Sequence, residues 1–302
     1  MTEPRRIVPG ETYFITRRCA RREFLLRPDE ETNAIVAYCL AEAAERHGIG
    51  LVAWKVMTNH YHAVVHDSKG CLPAFLEHFH KMVAKAMNVR WGRWENFWSS
   101  EETCAVRLVS NQDIFDKIVY VLCNPVAADL VDRVQDWPGL SSLGYFGGKT
   151  TRQRRPNYFF QKDGAMPEFA SLRAKLPSRI TKNESTAAFW QRVRKAVVER
   201  EQTLREMRKK AKRRVFGRKA VMRVSHTDSP KTEMIKRKLR PHIACKDKDR
   251  RALELEALKQ FRNKYREARQ SWAEGNRRVA FPQGTYRLLS IGVRCARPPT
   301  LV

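Results

Sequence analysis

The chain has 302 residues, 42% of them hydrophobic, which is enough for one large domain or two ordinary ones with real cores. Its net charge is +27, and residues 1–150 carry 18 Lys or Arg against 18 Asp or Glu, whereas residues 151–302 carry 41 against 14. A basic block of this size favours a polyanionic partner, most simply nucleic acid, over an anionic membrane or a merely solvated face.

The seven cysteines are scattered and include no C-x-x-C pair, which argues against a zinc finger and against a disulfide framework. The first residues lack the apolar core of a signal peptide, and no apolar run approaches the length of a membrane span. We therefore expect a cytoplasmic, nucleoid-associated protein with no membrane partner.

Hydrophobic periodicity predicts the elements of the first half in the order strand, helix, strand, strand, helix, strand, helix. The expected segments are a strand at 11–19, a helix from Asp29 to about His47, a strand pair or bulged strand within 51–66, a helix at 73–90, a strand at 103–109, and a helix capped by Asn111 that ends at Pro125. This order predicts an α+β fold with helices on an antiparallel sheet.

The second half of the chain, residues 151–302, is more basic and less hydrophobic along much of its length than the first. Apolar positions at helical spacing predict helices over about 187–214 and 250–275, and the polar, basic stretch 215–250 between them indicates a flexible or partly ordered linker. We expect one domain at 1–150 and a basic, mainly helical extension at 151–302 that binds DNA or regulates the first domain.

The segment Trp54 to His66 contains the first chemical motif. Side chains two apart on a strand point the same way, so His60 and His62 present two imidazoles on one face while Tyr61 faces the other. Two neutral imidazoles make half of a divalent-metal site. Taken alone, a His-x-His pattern favours two surface histidines, because the pattern is short and chance matches are common.

The second motif lies on the helix after Asn111. Tyr120 and Asn124 are four residues apart and therefore share a helix face. Taken singly, Tyr120 fits a core tyrosine and Asn124 a helix cap. Taken with the histidines, Asn124 offers an oxygen ligand suited to Mg²⁺ or Mn²⁺, and Tyr120 offers a phenol that can attack a metal-bound phosphate.

Two groups of basic residues are candidate DNA contacts, although several fit ordinary surface positions equally well. They are Arg17, Arg18, Arg21 and Arg22 at the end of the first strand and just after it, and Lys209, Lys210, Lys212, Arg213 and Arg214 in the run 208–214.

The two motifs together resemble those of single-strand DNA transposases. MTNHYHAVV (57–65) is similar to the HUH motif, and YVLCNPVAADLV (120–131) is similar to the nucleophile helix of the REP-associated tyrosine transposases. Thr16-Arg17-Arg18 and the segment WPGLSS (137–142) match further features of that family, so the resemblance covers roughly residues 8–148. Thr58 replaces the common proline before Asn59, and Tyr61 is a bulky middle residue; neither change removes a chemical group.

The resemblance implies a ferredoxin-like antiparallel sheet with helices on one face, and a metal-dependent endonuclease and transposase of single-stranded DNA. By that analogy His60, His62 and Asn124 bind Mg²⁺ or Mn²⁺. Tyr120 forms a 5′-phosphotyrosine intermediate at REP-like hairpins, and the protein acts as a monomer or homodimer. The alternatives are a domesticated hairpin-binding protein without strand transfer and an RNA nuclease on the same scaffold.

Overall fold

The computed structural model describes residues 4–161, 163–232, 241–286 and 292–296. Within them the strands are β1 (Glu11–Arg18), β2 (Ile49–Val56), β3 (His60–Asp67), β4 (Cys104–Leu108), β5 (Thr150–Arg154), β6 (Phe169–Arg173) and β7 (Ile243–Ala244). The helices are α1 (Glu30–His47), α2 (Leu72–Trp91), α3 (Asn111–Ala127), α4 (Ser178–Thr181), α5 (Thr186–Lys210), α6 (Arg218–Arg223) and α7 (Lys248–Ala273).

The central sheet has the strand order β2-β3-β1-β4-β7. Its first four strands are antiparallel, and β1 pairs with β3 along its whole length, from Glu11 opposite Asp67 to Arg18 opposite His60. β2 and β3 form a hairpin, which is one of the two alternatives predicted for residues 51–66. The predicted α+β class and order of elements are confirmed.

Helices cover both faces of this sheet, which differs from the expectation of helices on one face. α1 and α2 pack on the face that carries Tyr13 and Ile15. α3 and α5 pack on the opposite face, which carries Phe14 and Val64. The difference arises because the alternating strand residues are apolar on both faces, so each face requires a cover.

The second half of the chain shares a core with the first. Phe189, Trp190 and Val193 of α5 are buried against the apolar side of α3, and the Trp190 ring stacks on Phe146 with 3.8 Å between centroids. Residues on both sides of the expected boundary at position 150 thus pack together, while the boundary itself stays a prediction.

The ends of α3 differ from their predicted positions. Ser110, not Asn111, is the N-cap, because its hydroxyl accepts from the Asp113 amide while the Asp113 carboxylate accepts from the Ser110 amide. Pro125 lies inside the helix, which continues to Ala127. A proline near a helix end removes only one backbone hydrogen bond, so the last turn survives.

The stretch 215–250, predicted to be a linker, includes regular structure. α6 lies within it, and β7 adds a parallel edge strand beside β4 through the pairs Arg107–Ile243 and Leu108–Ala244. Residues 233–240 lie outside the described part of the chain. Among the helices that the structure describes, none combines the length and apolar character needed to cross a membrane.

Candidate active site

Strand β3 presents its two histidines to the α3 face of the sheet. His62 is buried and His60 is partly exposed, whereas Tyr61 between them is buried on the opposite face against α2. The Nε2 atoms of His60 and His62 lie 3.1 Å apart. The strand therefore brings the two imidazoles together with their Nε2 atoms facing each other, as the alternation of side chains predicts.

The Nδ1 atom of each imidazole has a hydrogen-bond partner that fixes the orientation of the ring. The Asn59 side-chain amide donates to the Arg22 carbonyl, so its Oδ1 accepts from His60 Nδ1 over 2.7 Å. A neutral His60 then has a bare Nε2, and His62 Nε2–H donates to it. That leaves His62 Nδ1 as an acceptor for the Thr16 hydroxyl, which lies 2.8 Å away on β1.

Both imidazoles are neutral at physiological pH. Burial, helped by the nearby Arg18 guanidinium and opposed by Asn124, lowers the pKa of His60 to about 4. Burial, together with the nearby His60 and Lys117, lowers the pKa of His62 well below its usual value. The neutral form is the one that ligates metals, so the pair is poised to bind a cation without first losing a proton.

Helix α3 brings Tyr120 to the same place. Ile118, Val121 and Leu122 are buried in the core and leave Tyr120 directed toward the histidines, with 48% of its surface exposed. The Tyr120 ring lies edge-on to His62, with 5.7 Å between ring centroids. The structure thus unites side chains that are 58 positions apart in sequence.

Phe14 organises this cluster from β1. Its ring stacks on His62 with 5.5 Å between centroids and meets Tyr120 edge-on at 5.8 Å. Because the Phe14 ring contacts both, the positions of the imidazole and the phenol depend on a single buried side chain.

Asn124 lies one turn after Tyr120, close enough to His60 to stabilise its protonated form. The Nε2 atom of His60 is unprotonated, and that of His62 becomes so when its proton moves to Nδ1. Together with the Asn124 amide oxygen, these two nitrogens form a donor set that fits a divalent cation with open positions for water or phosphate oxygens. The described residues contain no cluster of three or more His, Cys, Asp or Glu side chains that could hold a metal ion.

The four predicted arginines near the first strand already have partners within the chain. Arg17 is held by His80 and Thr103, and Arg18 pairs with Glu101 at 3.3 Å. The partners of Arg21 are Glu23 and Glu95, and those of Arg22 are the carbonyl and hydroxyl of Thr232. These contacts place Arg17 on the sheet face opposite the histidines.

The basic run lies at the end of α5 and just beyond it. Arg213 pairs with Asp129 at 2.8 Å, and Arg208 is buried between Asp129 and Asp132. Four further residues of the run are exposed and form no ion pair with any described residue, namely Lys209, Lys210, Lys212 and Arg214.

Sequence reasoning missed four residues of the site, which are Phe14, Thr16, Asn59 and Lys117. Thr16 and Phe14 required the β1–β3 register, since nothing in the linear sequence pairs Thr16 with His62. Lys117 could have been found from its spacing, because it precedes Tyr120 by three positions and so shares its helix face.

Among solved structures, two transposases are similar in structure to this chain. The structure of a REP-associated tyrosine transposase bound to a REP hairpin is 20% identical, covers 56% of this chain and 98% of that chain, and has a TM-score of 0.41. A candidate transposase from Deinococcus radiodurans R1 is also 20% identical, covers 38% and 92% of the two chains, and has a TM-score of 0.29. No protein-family model and no curated protein sequence matches. The structural neighbours of this chain therefore include a REP-associated tyrosine transposase, the family that the two motifs resemble.

Proposed function

We propose that the protein is a metal-dependent endonuclease and transposase of single-stranded DNA that uses Tyr120 as its nucleophile. The observation that carries the proposal is the meeting of Tyr120 with the His60–His62 pair, at 5.7 Å between the Tyr120 and His62 ring centroids. A phenol beside two neutral imidazoles is suited to attack on a cation-bound phosphodiester.

The reaction exchanges one phosphodiester for another. The Tyr120 oxygen attacks phosphorus and loses its proton to water, the bond from phosphorus to the 3′-oxygen breaks, and that oxygen leaves as a 3′-hydroxyl after taking up a proton. The product is a 5′-phosphotyrosine, and a different 3′-hydroxyl can reverse the step and rejoin the strand. No external energy source is needed, because each step forms as many ester bonds as it breaks.

His60, His62 and Asn124 would hold Mg²⁺ or Mn²⁺, and the cation would draw charge from the phosphate and orient it. The chain's own contribution is to set the tautomer of His60 through Asn59, to accommodate either tautomer of His62 through Thr16, and to fix the phenol beside them through Phe14. Ligand orientation of this kind determines how tightly such sites bind their metals.

The substrate class follows from charge and from the site's openness. Tyr120 is half exposed at the surface, so a single strand can reach it without entering a deep pocket. The cationic residues of 151–302 supply the contacts expected for the adjoining hairpin stem. REP-like hairpins are the first substrates to test, because the motifs at 57–65 and 120–131 resemble those of REP-associated transposases.

The test is to incubate the full-length protein with end-labelled single-stranded hairpin DNA and Mn²⁺ and to look for a covalent protein–DNA adduct. The wild type should form the adduct, and so should Tyr145→Phe, a matched control whose hydroxyl bonds Thr151 instead. Tyr120→Phe should form none, and His60→Ala should lose cleavage while retaining hairpin binding.

Two outcomes would replace the proposal. Tight hairpin binding without any adduct from the wild type would indicate a domesticated binding protein. Cleavage confined to RNA hairpins would indicate a nuclease on the same scaffold.

A further inference from the structure

Lys117 lies one turn before Tyr120 on α3 and reaches into the same cluster. Its Nζ is 4.9 Å from the centroid of the Tyr120 ring and 4.6 Å from that of Phe14, the ring that stacks on His62. Burial is the main cause that lowers the pKa of His62, and the nearby His60 and the Lys117 ammonium act in the same direction. A cation is therefore part of the site, although neither motif includes it.

Lys117 has no ion-pair partner among the residues that the structure describes. The two nearest carboxylates on α3 are engaged elsewhere. Asp113 caps the helix through Ser110, and Asp116 pairs with Lys246. Arg18, the other cation that acts on the histidines, differs in having Glu101 as its partner.

Keeping such a group half-buried costs free energy. Burial lowers the pKa of Lys117, while Cys104, Asp116 and Asp113 act in the opposite direction. An ammonium held beside aromatic rings, with no ion pair to a described carboxylate, is suited to bind an anion, and a phosphate oxygen is the anion that the proposed reaction brings to this place.

We propose that Lys117 is a catalytic residue that contacts a non-bridging oxygen of the scissile phosphate as Tyr120 attacks. This inference rests on the proposed function and adds a residue to it. The flexible four-carbon side chain lets the ammonium leave the two rings and follow the charge that builds on the phosphate oxygens. Because Lys117 and Tyr120 lie on the same helix, α3, the distance between their backbone positions is held nearly constant.

The first experiment measures the single-turnover rate of adduct formation at saturating hairpin DNA with Mn²⁺. Lys117→Met should lower the rate about 10- to 100-fold, in the range found when one charge-stabilising group is removed, and should leave the half-saturating DNA concentration nearly unchanged. Lys117→Arg should recover most of the rate. Lys85→Met is a matched control, since Lys85 lies 4.9 Å over the Phe159 ring, away from the site.

A substrate change separates phosphate contact from a structural role. Once the cleaved linkage is known, it is replaced by a methylphosphonate, which removes the negative charge. On the methylphosphonate linkage, the wild type and Lys117→Met should react at equal rates, because the Lys117 ammonium has no negative charge to contact there. The inference would be overturned if Lys117→Met lowered the rate by the same factor on both linkages. It would also be overturned if Lys117→Met cleaved the natural linkage at the wild-type rate.

A second measurement does not depend on cleavage. Inorganic phosphate titrated into the metal-free protein should shift the NMR signals of Tyr120 in the wild type and in Lys117→Arg, and should leave those of Tyr120 in Lys117→Met unchanged. If the wild type forms no DNA adduct, the proposed function fails, and this titration still decides whether Lys117 binds phosphate. Identical Tyr120 shifts in the Met variant would rule that out.

Discussion

The hydroxyl of Thr16 lies 2.8 Å from Nδ1 of His62, at the opposite end of the imidazole from His60. A hydroxyl can donate or accept, so Thr16 suits both tautomers of that ring. In the structure it donates to Nδ1, because His62 Nε2–H faces the bare Nε2 of His60. If both Nε2 atoms ligated the proposed cation, the proton of His62 would sit on Nδ1, and the Thr16 hydroxyl would accept a hydrogen bond from it.

Thr16→Val should therefore weaken Mn²⁺ binding about 10- to 100-fold, the usual effect of removing such an outer hydrogen bond. Thr12→Val is the matched control, since Thr12 makes the equivalent contact with His66 at 3.2 Å on the same pair of strands. Calorimetric titration of both variants checks this, and equal affinities would show that Thr16 does not support the site.

Replacing Phe14 should affect the rate of adduct formation more than the free energy of unfolding. Its ring contacts both His62 and Tyr120, so Phe14→Leu should lower the rate of adduct formation by about tenfold or more through misplacement of the phenol. The cost in unfolding free energy should be about 1–2 kcal/mol, as for other reductions of core volume.

Phe75→Leu is the control for that change. Phe75 is buried on the opposite face of the sheet, where it stacks on Phe79. It should lose a similar amount of stability by urea denaturation and keep the wild-type rate of adduct formation. A comparable loss of rate in both variants would mean that general loosening, and not the Phe14 contacts, limits the reaction.

Lys55 should make stability depend on pH. It is fully buried on β2 and its Nζ has no hydrogen-bond partner among the described residues. Burial lowers the pKa of Lys55 from 10.5 to about 7, against the weaker opposing effects of Cys123 and Glu201. The unfolded chain therefore binds one more proton than the folded chain between these two values, and stability rises with pH across that window.

The measurement compares the unfolding free energies of the wild type and Lys55→Met at pH 7, 8 and 9. The cost of burying the charged lysine is fully present below pH 7 and disappears as the pH approaches 10.5. Lys55→Met should accordingly be the more stable protein at pH 7, and its advantage should shrink at each step. A constant difference would show that Lys55 keeps its proton when folded.

The first half of the fold was predictable because its elements carry local signals. α1 has an acidic first turn capped by Asp29 and stops at Gly48 in the left-handed conformation, and the sequence displays both the acidic turn and the glycine. The two motifs are likewise short and periodic, so His60, His62, Tyr120 and Asn124 can be named from the sequence alone.

What sequence reasoning missed depends on long-range pairing. β7 is two residues long and becomes a strand only because β4 offers an open edge more than 130 positions earlier. Thr16 and Phe14 join the site through strand register. No local periodicity encodes these relationships.

The last prediction divides the basic run into residues that bind DNA and residues that hold the fold. Arg208 is buried against Asp129 and Asp132, so Arg208→Gln should cost about 1–3 kcal/mol of stability by leaving carboxylates without their charged partner. Lys209, Lys210 and Lys212 are exposed and have no such partner among the described residues, so replacing all three with Gln should leave the melting temperature unchanged.

The same triple variant should weaken hairpin binding and flatten its salt dependence. Each phosphate that the protein no longer neutralises reduces the slope of log K against log salt by about 0.9 for duplex DNA, so three of them should lower it by about 2.7. The measurement is fluorescence anisotropy with labelled hairpin DNA from about 50 to about 300 mM salt, in the Tyr120→Phe background to prevent cleavage. An unchanged slope would remove this end of α5 from the DNA surface, because side chains that neutralise no phosphate release no counterions.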